Sequence, residues 1–382
     1  AAQDQRFRVN GFATFGMSQS NEDIAYNDVN NDINFNRFSK IGIQMSFNID
    51  SQNSVVTQLV SRGENNWETS AEWAYFKHDF NNGFTGKIGR LRLPAFMLSE
   101  FLDVGYAVPW AKMPNESYSS LTPFSNMEGV DLSYNTDVGD LSATVQFAYG
   151  RSKSDDYDLK DIISINASLQ ADTWNTKASY SQADVSVLSE TISAVLGLYN
   201  ARTTGLDGNF TSLGFTFDPG DVYFTTEYTK LEVEDAVVDA DAIYATVGYR
   251  IGRLMPTLTY AMTESQDDEL RSLQAAADAS TGGSLAALAS VGADGNAASA
   301  TNPSLAALAS IFQGEQNRNT TRIGLGMRYD MSPGTALKVQ YDIIEVDAAA
   351  GMFESIGWAT ANAGGTAPDS TNILTISIDT VF

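Results

Sequence analysis

Long segments of period-two alternation run through this chain from one end to the other, which limits it to sheets with two chemically distinct faces. At the C-terminus Leu374, Ile376, Ile378, Thr380 and Phe382 share one face, while Thr375, Ser377 and Asp379 occupy the other. Residues 321–330 set Ile323, Leu325, Met327 and Tyr329 against Arg322, Gly324, Gly326 and Arg328. Residues 160–170 repeat the pattern with Ile163, Ile165, Ala167 and Leu169 opposite Ser164, Asn166, Ser168 and Gln170. Near the start, Phe7, Val9, Gly11, Ala13, Phe15 and Met17 alternate with Arg6, Arg8, Asn10 and Thr14.

A soluble sandwich also alternates, with its apolar face buried. Three features place the apolar face outside instead. The alternating segments often run for ten to thirteen residues, roughly twice the length of strands in globular proteins. Their polar faces carry Gly, Ser, Thr, Asn and Arg, which suits a wet interior. Aromatic residues stand at the ends of the apolar strands (Phe47, Phe80, Phe84, Trp174, Phe217 and Phe382), where a membrane-interface girdle belongs. Mean hydropathy is only -0.18. No apolar run approaches the roughly eighteen residues of a membrane helix, but a barrel needs only alternate residues to face lipid.

The connections agree. Tight turns are predicted at 50–53, 81–83, 138–140, 171–173, 218–220, 251–253 and 331–334. Between them lie longer connections at 20–33, 63–67, 93–125, 152–159, 184–207, 235–239, 265–318 and 347–370. Seven short turns alternating with eight long loops join about sixteen strands, an even number with both termini on the periplasmic side. In lipid no backbone polar group can go unpaired, so the sheet must close, residues 5–19 pairing with 371–382. The expected fold is therefore an all-β, transmembrane antiparallel barrel, with residues 1–382 forming one domain.

With no cysteine and one histidine, disulfides, thiolate sites and His clusters are excluded. His78 lies beside a turn and shares parity with Phe76 and Phe80, as a girdle residue would; no Ser-His arrangement, phosphate loop or nucleotide fingerprint accompanies it, so no enzyme is expected. A net charge of -24, from 47 acids against 23 bases, argues against nucleic acid. No cofactor is expected, although acidic external loops could bind divalent cations or lipopolysaccharide. Ala1-Ala2-Gln3-Asp4 has the look of a mature N-terminus after signal-peptide removal. Residues 266–312 are Ala- and Ser-rich, and Ser284-Leu-Ala-Ala-Leu-Ala-Ser290 recurs as Ser304-Leu-Ala-Ala-Leu-Ala-Ser310 after Asn302-Pro303. One or two short helices are predicted there and another over 186–200.

The terminal strand Ile373-Leu-Thr-Ile-Ser-Ile-Asp-Thr-Val-Phe382 resembles the C-terminal signal of Gram-negative outer-membrane barrels. Gly86-Lys-Ile-Gly-Arg-Leu-Arg-Leu-Pro94, followed by a long third loop, is similar to the trimeric general porins. That resemblance implies assembly by the barrel-assembly machinery through Phe382, a homotrimer and an inward-folded third loop, 93–125, that narrows the channel. The small residues Gly11 and Ala13 on the outer face of the first strand are compatible with a trimer contact. In the general porins that loop sets acids opposite wall bases; their acidic motif is only partly present here, as Glu100, Asp103 and Glu116, beside the base Lys112.

Parity places Arg6, Arg8, Lys40, Lys177, Arg250, Arg322, Arg328 and Lys338 on the lumen side, because a charge facing hydrocarbon at mid-depth costs about 2–4 kcal/mol. Asp131, Glu227 and Asp342 are candidate partners for them. Arg90 and Arg92 sit where the fifth strand enters the loop, and Lys87 has the opposite parity. Asp103, Glu100, Arg90, Arg92, Lys40, Arg8, Arg322, Arg328, Lys338 and Asp131 thus form the expected constriction and lumen set, with a transverse field across it. The expected function is passive diffusion of small hydrophilic solutes and ions through an outer-membrane pore, the whole-chain charge leaning toward cations. A substrate-specific channel is the first alternative: an anion or dicarboxylate channel would use the wall arginines, whereas a sugar channel needs a line of lumen aromatics, of which parity places few (Phe12, Tyr223 and Tyr244). A closed barrel acting as adhesin or receptor through 265–318 is the second.

Overall fold

The computed structural model describes residues 6–346 and 368–382, apart from 274–318 and the single positions 28, 199, 267, 269 and 271. The predicted repeat helices and most of the 265–318 loop therefore lie outside the described residues. Sixteen strands form one closed antiparallel barrel. They are β1 (Phe7–Ser20), β2 (Lys40–Asn48), β3 (Asn53–Arg62), β4 (Thr69–Asp79), β5 (Phe84–Arg92), β6 (Asn126–Val138), β7 (Leu141–Lys153) and β8 (Tyr157–Gln170). The second half comprises β9 (Trp174–Val187), β10 (Leu206–Phe217), β11 (Val222–Val233), β12 (Val237–Tyr249), β13 (Leu254–Ser265), β14 (Thr320–Ser332), β15 (Thr335–Val346) and β16 (Ser370–Val381). Among the described residues the connections carry the α-helices α1 (Asn115–Tyr118) and α2 (Glu190–Leu198), the latter inside the predicted 186–200. Closure is by β1 on β16, from Phe12↔Val381 to Ser20↔Ile373.

The barrel is inside out relative to a soluble protein. Phe15, Val145, Ile165, Leu213 and Leu325 are each more than half exposed on the outer face. Ser164, Thr225, Glu227, Thr246, Asp342 and Thr375 are all 0% exposed on the inner face. An apolar outer band of this kind is stable only against lipid. The seven short turns fall between the strands where their residue types placed them, with Gly83 and Gly334 at φ +87 and +83.

Local departures from regular alternation matter more for the interior. Gly11 leaves room for the terminal ring: a Cβ there would lie 2.3 Å from Phe382, which folds back over the seam. In β8, Asp161 adopts φ +49 and the pairing with β9 shifts between Lys160 and Ile163. This bulge reverses parity above it, turning Tyr157 and Leu159 inward. Strands β7 to β12 also run further than predicted, shortening the 152–159, 184–207 and 235–239 connections to 154–156, 188–205 and 234–236. The taller wall supplies Val185, Val187, Leu206 and Val237 to an apolar cluster inside the barrel.

Gly89 holds φ +133 in the middle of β5, where a Cβ would lie 2.3 Å from the Ala74 carbonyl oxygen of β4. Gly89→Ala is therefore expected to destabilise the barrel by about 1–3 kcal/mol. Urea unfolding in detergent, followed by the mobility shift between folded and unfolded barrel, measures the change.

Candidate functional site

The 93–125 connection does fold into the barrel. Leu93, Ala95, Phe96, Val108, Trp110, Tyr118, Leu121 and Phe124 are all under 9% exposed, packed with wall residues of β8 to β13. The Phe96 ring centre lies 5.0 Å from those of Tyr118, tilted, and Phe210, edge-on. Phe101 of the same loop, by contrast, is 47% exposed.

An inward loop carries backbone N–H and C=O groups away from bulk water, and each needs a partner. The wall supplies them. Lys177 Nζ donates to the Phe96 carbonyl at 2.8 Å, and Ser179 Oγ to that of Ala95. Glu227 accepts from the Met97 N–H at 2.7 Å and from the Tyr118 hydroxyl at 2.5 Å. Lys338 Nζ donates to the carbonyls of Gly105 and Trp110 at 2.5 and 3.0 Å, and pairs with Asp379 at 3.0 Å. Arg328 donates to Tyr106 and Val108 at 2.8 and 3.1 Å, its guanidinium 4.7 Å from the Tyr106 ring centre. Gln340 accepts from the N–H of Ala111 and Lys112 and donates back to Lys112. Arg322 pairs with Glu116 of α1 at 2.8 Å and with Asp342 at 3.6 Å.

These contacts correct the expectation for Arg322, Arg328 and Lys338. Parity put them on the inner face correctly, but Arg322 and Lys338 are 1% exposed. They clamp the loop instead of facing open water. Tyr244 is likewise covered, 3.1 Å from the Tyr118 hydroxyl.

On the opposite side of the loop the chain remains open. Asp103 accepts from Arg62 Nη2 and Arg92 Nη2, each at 2.7 Å, and lies 3.6 Å from Lys40 Nζ. Burial disfavours ionisation of this carboxyl, yet Lys40, Arg62 and Arg92 overcome it and hold its pKa well below the usual range. Glu72 pairs with Arg62 at 2.7 Å and Arg92 at 3.6 Å, and accepts from Asn126 at 2.7 Å. Arg62 and Glu72 were not singled out in the sequence. Arg62 shares the inward parity of Gln58 and Val60 and ends β3, which was a usable signal. Glu72 is the extra residue where β4 slips against β3, between Ala71 and Trp73, so parity misplaces it.

This cluster floors a chamber of about 600 Å³ between the loop and the β1–β4 wall. The bases lining it are Arg37, Lys40, Arg62, Arg92 and Lys112; the acids are Glu64, Glu72, Asp103 and Asp379. Arg92 also lines a smaller recess of about 40 Å³ on the turn side of the loop, with Lys87, Glu100 and Asp131. Lys87 and Asp131 are 3.7 Å apart. Glu100 and Asp131 thus belong to this second level and not to the Asp103 cluster.

Arg90 is the clear misplacement. Although two residues from Arg92 and of equal parity, it lies on the outer face, paired with Glu128 and donating to the Ala71 carbonyl at 2.6 Å. Arg92 faces inward because it is the last residue of β5, where the chain already turns into the lumen. Lys87 keeps inward parity, so no bulge in β5 is needed. Arg8 sits exposed at the turn end of β1, outside the chamber. His78 pairs with Asn53 at 2.8 Å and stacks edge-on with Phe80 at 4.5 Å. Among the described residues, no three Asp, Glu or His side chains converge as a metal site requires.

No protein-family model and no curated sequence matches this chain. Solved structures do match its fold. OmpF of Salmonella typhi, in complex with daunomycin, is 12% identical with a TM-score of 0.60, over 98% of this chain and 97% of that one. The anion-selective porin from Comamonas acidovorans is 12% identical with a TM-score of 0.59, over 98% and 99%. The trimer form of the outer-membrane protein OmpT of Vibrio cholerae is 10% identical with a TM-score of 0.58, over 99% and 100%.

Proposed function

We propose that this chain is a porin of the Gram-negative outer membrane, passing small hydrophilic solutes and ions by passive diffusion as a homotrimer. The observation that carries this reading is the asymmetric lumen. The inward loop is bound to the β8–β15 side by packing and hydrogen bonds, which leaves the charged chamber along β1–β4 as the route. Among the described residues the chamber holds five bases against four acids, and the turn-side recess adds one base and two acids. The route is therefore nearly neutral, and the whole-chain charge of -24 resides mainly elsewhere. Weak selectivity replaces the leaning toward cations. A route of this kind needs no cofactor or enzymatic chemistry, and the one histidine serves the membrane interface.

Purified protein in a planar bilayer under a salt gradient is expected to give large, ohmic currents closing in three equal steps. The reversal potential should lie near zero. A folded barrel without conductance would contradict the reading and favour a receptor role.

A further inference from the structure

Lys112 lines the chamber on the inward loop, its N–H and C=O both held by Gln340 at 3.2 and 3.0 Å. Its side chain is only 7% exposed, and its ammonium has no hydrogen-bond acceptor among the described residues. The Phe38 ring centre is 5.4 Å from Nζ. A buried ammonium without an acceptor is costly, and the cost disappears when an anion enters or the proton leaves. Burial, reinforced by the neighbouring Arg322 guanidinium, pushes its pKa down to about 7. The group can therefore take either course near neutral pH.

We propose that Lys112 is the cationic centre of a subsite for small monocarboxylates with an apolar body. This rests on the pore reading, since the chamber is the ligand's way in. The apolar part is matched by Phe38, Val108, Trp110 and Met113, which line the same chamber. Single charge is favoured because the groups around Lys112 are mixed: Arg322 on β14 and Arg37 in the β1–β2 connection attract an anion, while Asp342 on β15 and Glu116 on α1 repel a second negative charge. Binding fixes the ammonium form, so it takes up a proton at pH values above about 7 and is tighter in acid.

Benzoate titrated calorimetrically into the folded protein in detergent tests this, at pH 6 and pH 8 and in two buffers of different ionisation enthalpy. The expected result is binding that tightens from pH 8 to pH 6, with buffer-dependent heat at pH 8 showing proton uptake. Lys112→Met should weaken it by about 10-fold or more, while Lys160→Met on the outer rim leaves it unchanged. Equal binding by wild type and Lys112→Met, or no binding, overturns the subsite. Phosphate binding through Lys112 as tightly as benzoate also overturns it, because the site would then be a generic anion site. Bilayer currents separate the two readings: a conducting channel with no Lys112-dependent binding loses only the subsite, and a silent barrel that still binds benzoate loses only the pore.

Discussion

Replacing Arg322 by methionine is expected to cost about 3–5 kcal/mol of barrel stability, because the change strands two carboxylates in a dry site. Arg322, Glu116 and Asp342 are each 1% exposed or less, and the guanidinium is the cation that both acids share. Methionine fills the volume but cannot offset either charge. Urea unfolding in detergent should show the loss. Because Glu116 belongs to α1 of the inward loop, single-channel records should also become noisier as the loop detaches. Removing the charges together, in Arg322→Met/Glu116→Gln/Asp342→Asn, should recover most of the stability, since a missing triad leaves no orphan. A single variant as stable as wild type would show that the triad does not anchor the loop.

Asp103→Asn is expected to turn the weakly selective channel into one that prefers anions. Asp103 is the carboxylate shared by Lys40, Arg62 and Arg92, and its loss leaves Glu72 as the sole acid hydrogen-bonded to that group. A unit charge about 4 Å from an ion's path changes its energy by about 1 kcal/mol even in water-like dielectric, roughly a fivefold shift in permeability ratio. Reversal potentials in a KCl gradient measure it directly. The effect should fall at high ionic strength as the charges are screened. No shift in reversal potential would place the ion path elsewhere.

The barrel was legible because a period of two needs nothing beyond the local chain. Phe15, Ile165 and Leu325 face outward wherever the loops go. The inner face was legible only as a face. Parity sets Arg322, Arg328 and Lys338 inward, but their partners depend on which wall a loop two hundred residues away in sequence comes to lie on. That choice is made by Phe96, Trp110 and Tyr118 packing against Phe210 and Tyr244, a tertiary event without local periodicity. Parity itself failed at defined places. Glu72 is an unpaired extra residue, Asp161 reverses β8, and Arg92 leaves its strand while Arg90 does not. Each departure sits at a bulge or strand end, where one residue more or less in the pairing moves a charge from lipid to lumen.

The account stands most directly on where solutes pass, and the cysteine-free chain makes this measurable. One cysteine is placed at Lys40, on the chamber wall, or at Ser212, under the loop and 1% exposed. Bilayer current is then followed as a charged thiol reagent is added. The account predicts a stepwise fall in current for Lys40→Cys and none for Ser212→Cys. A fall for Ser212→Cys alone, or a folded barrel that carries no current before the reagent is added, would contradict it.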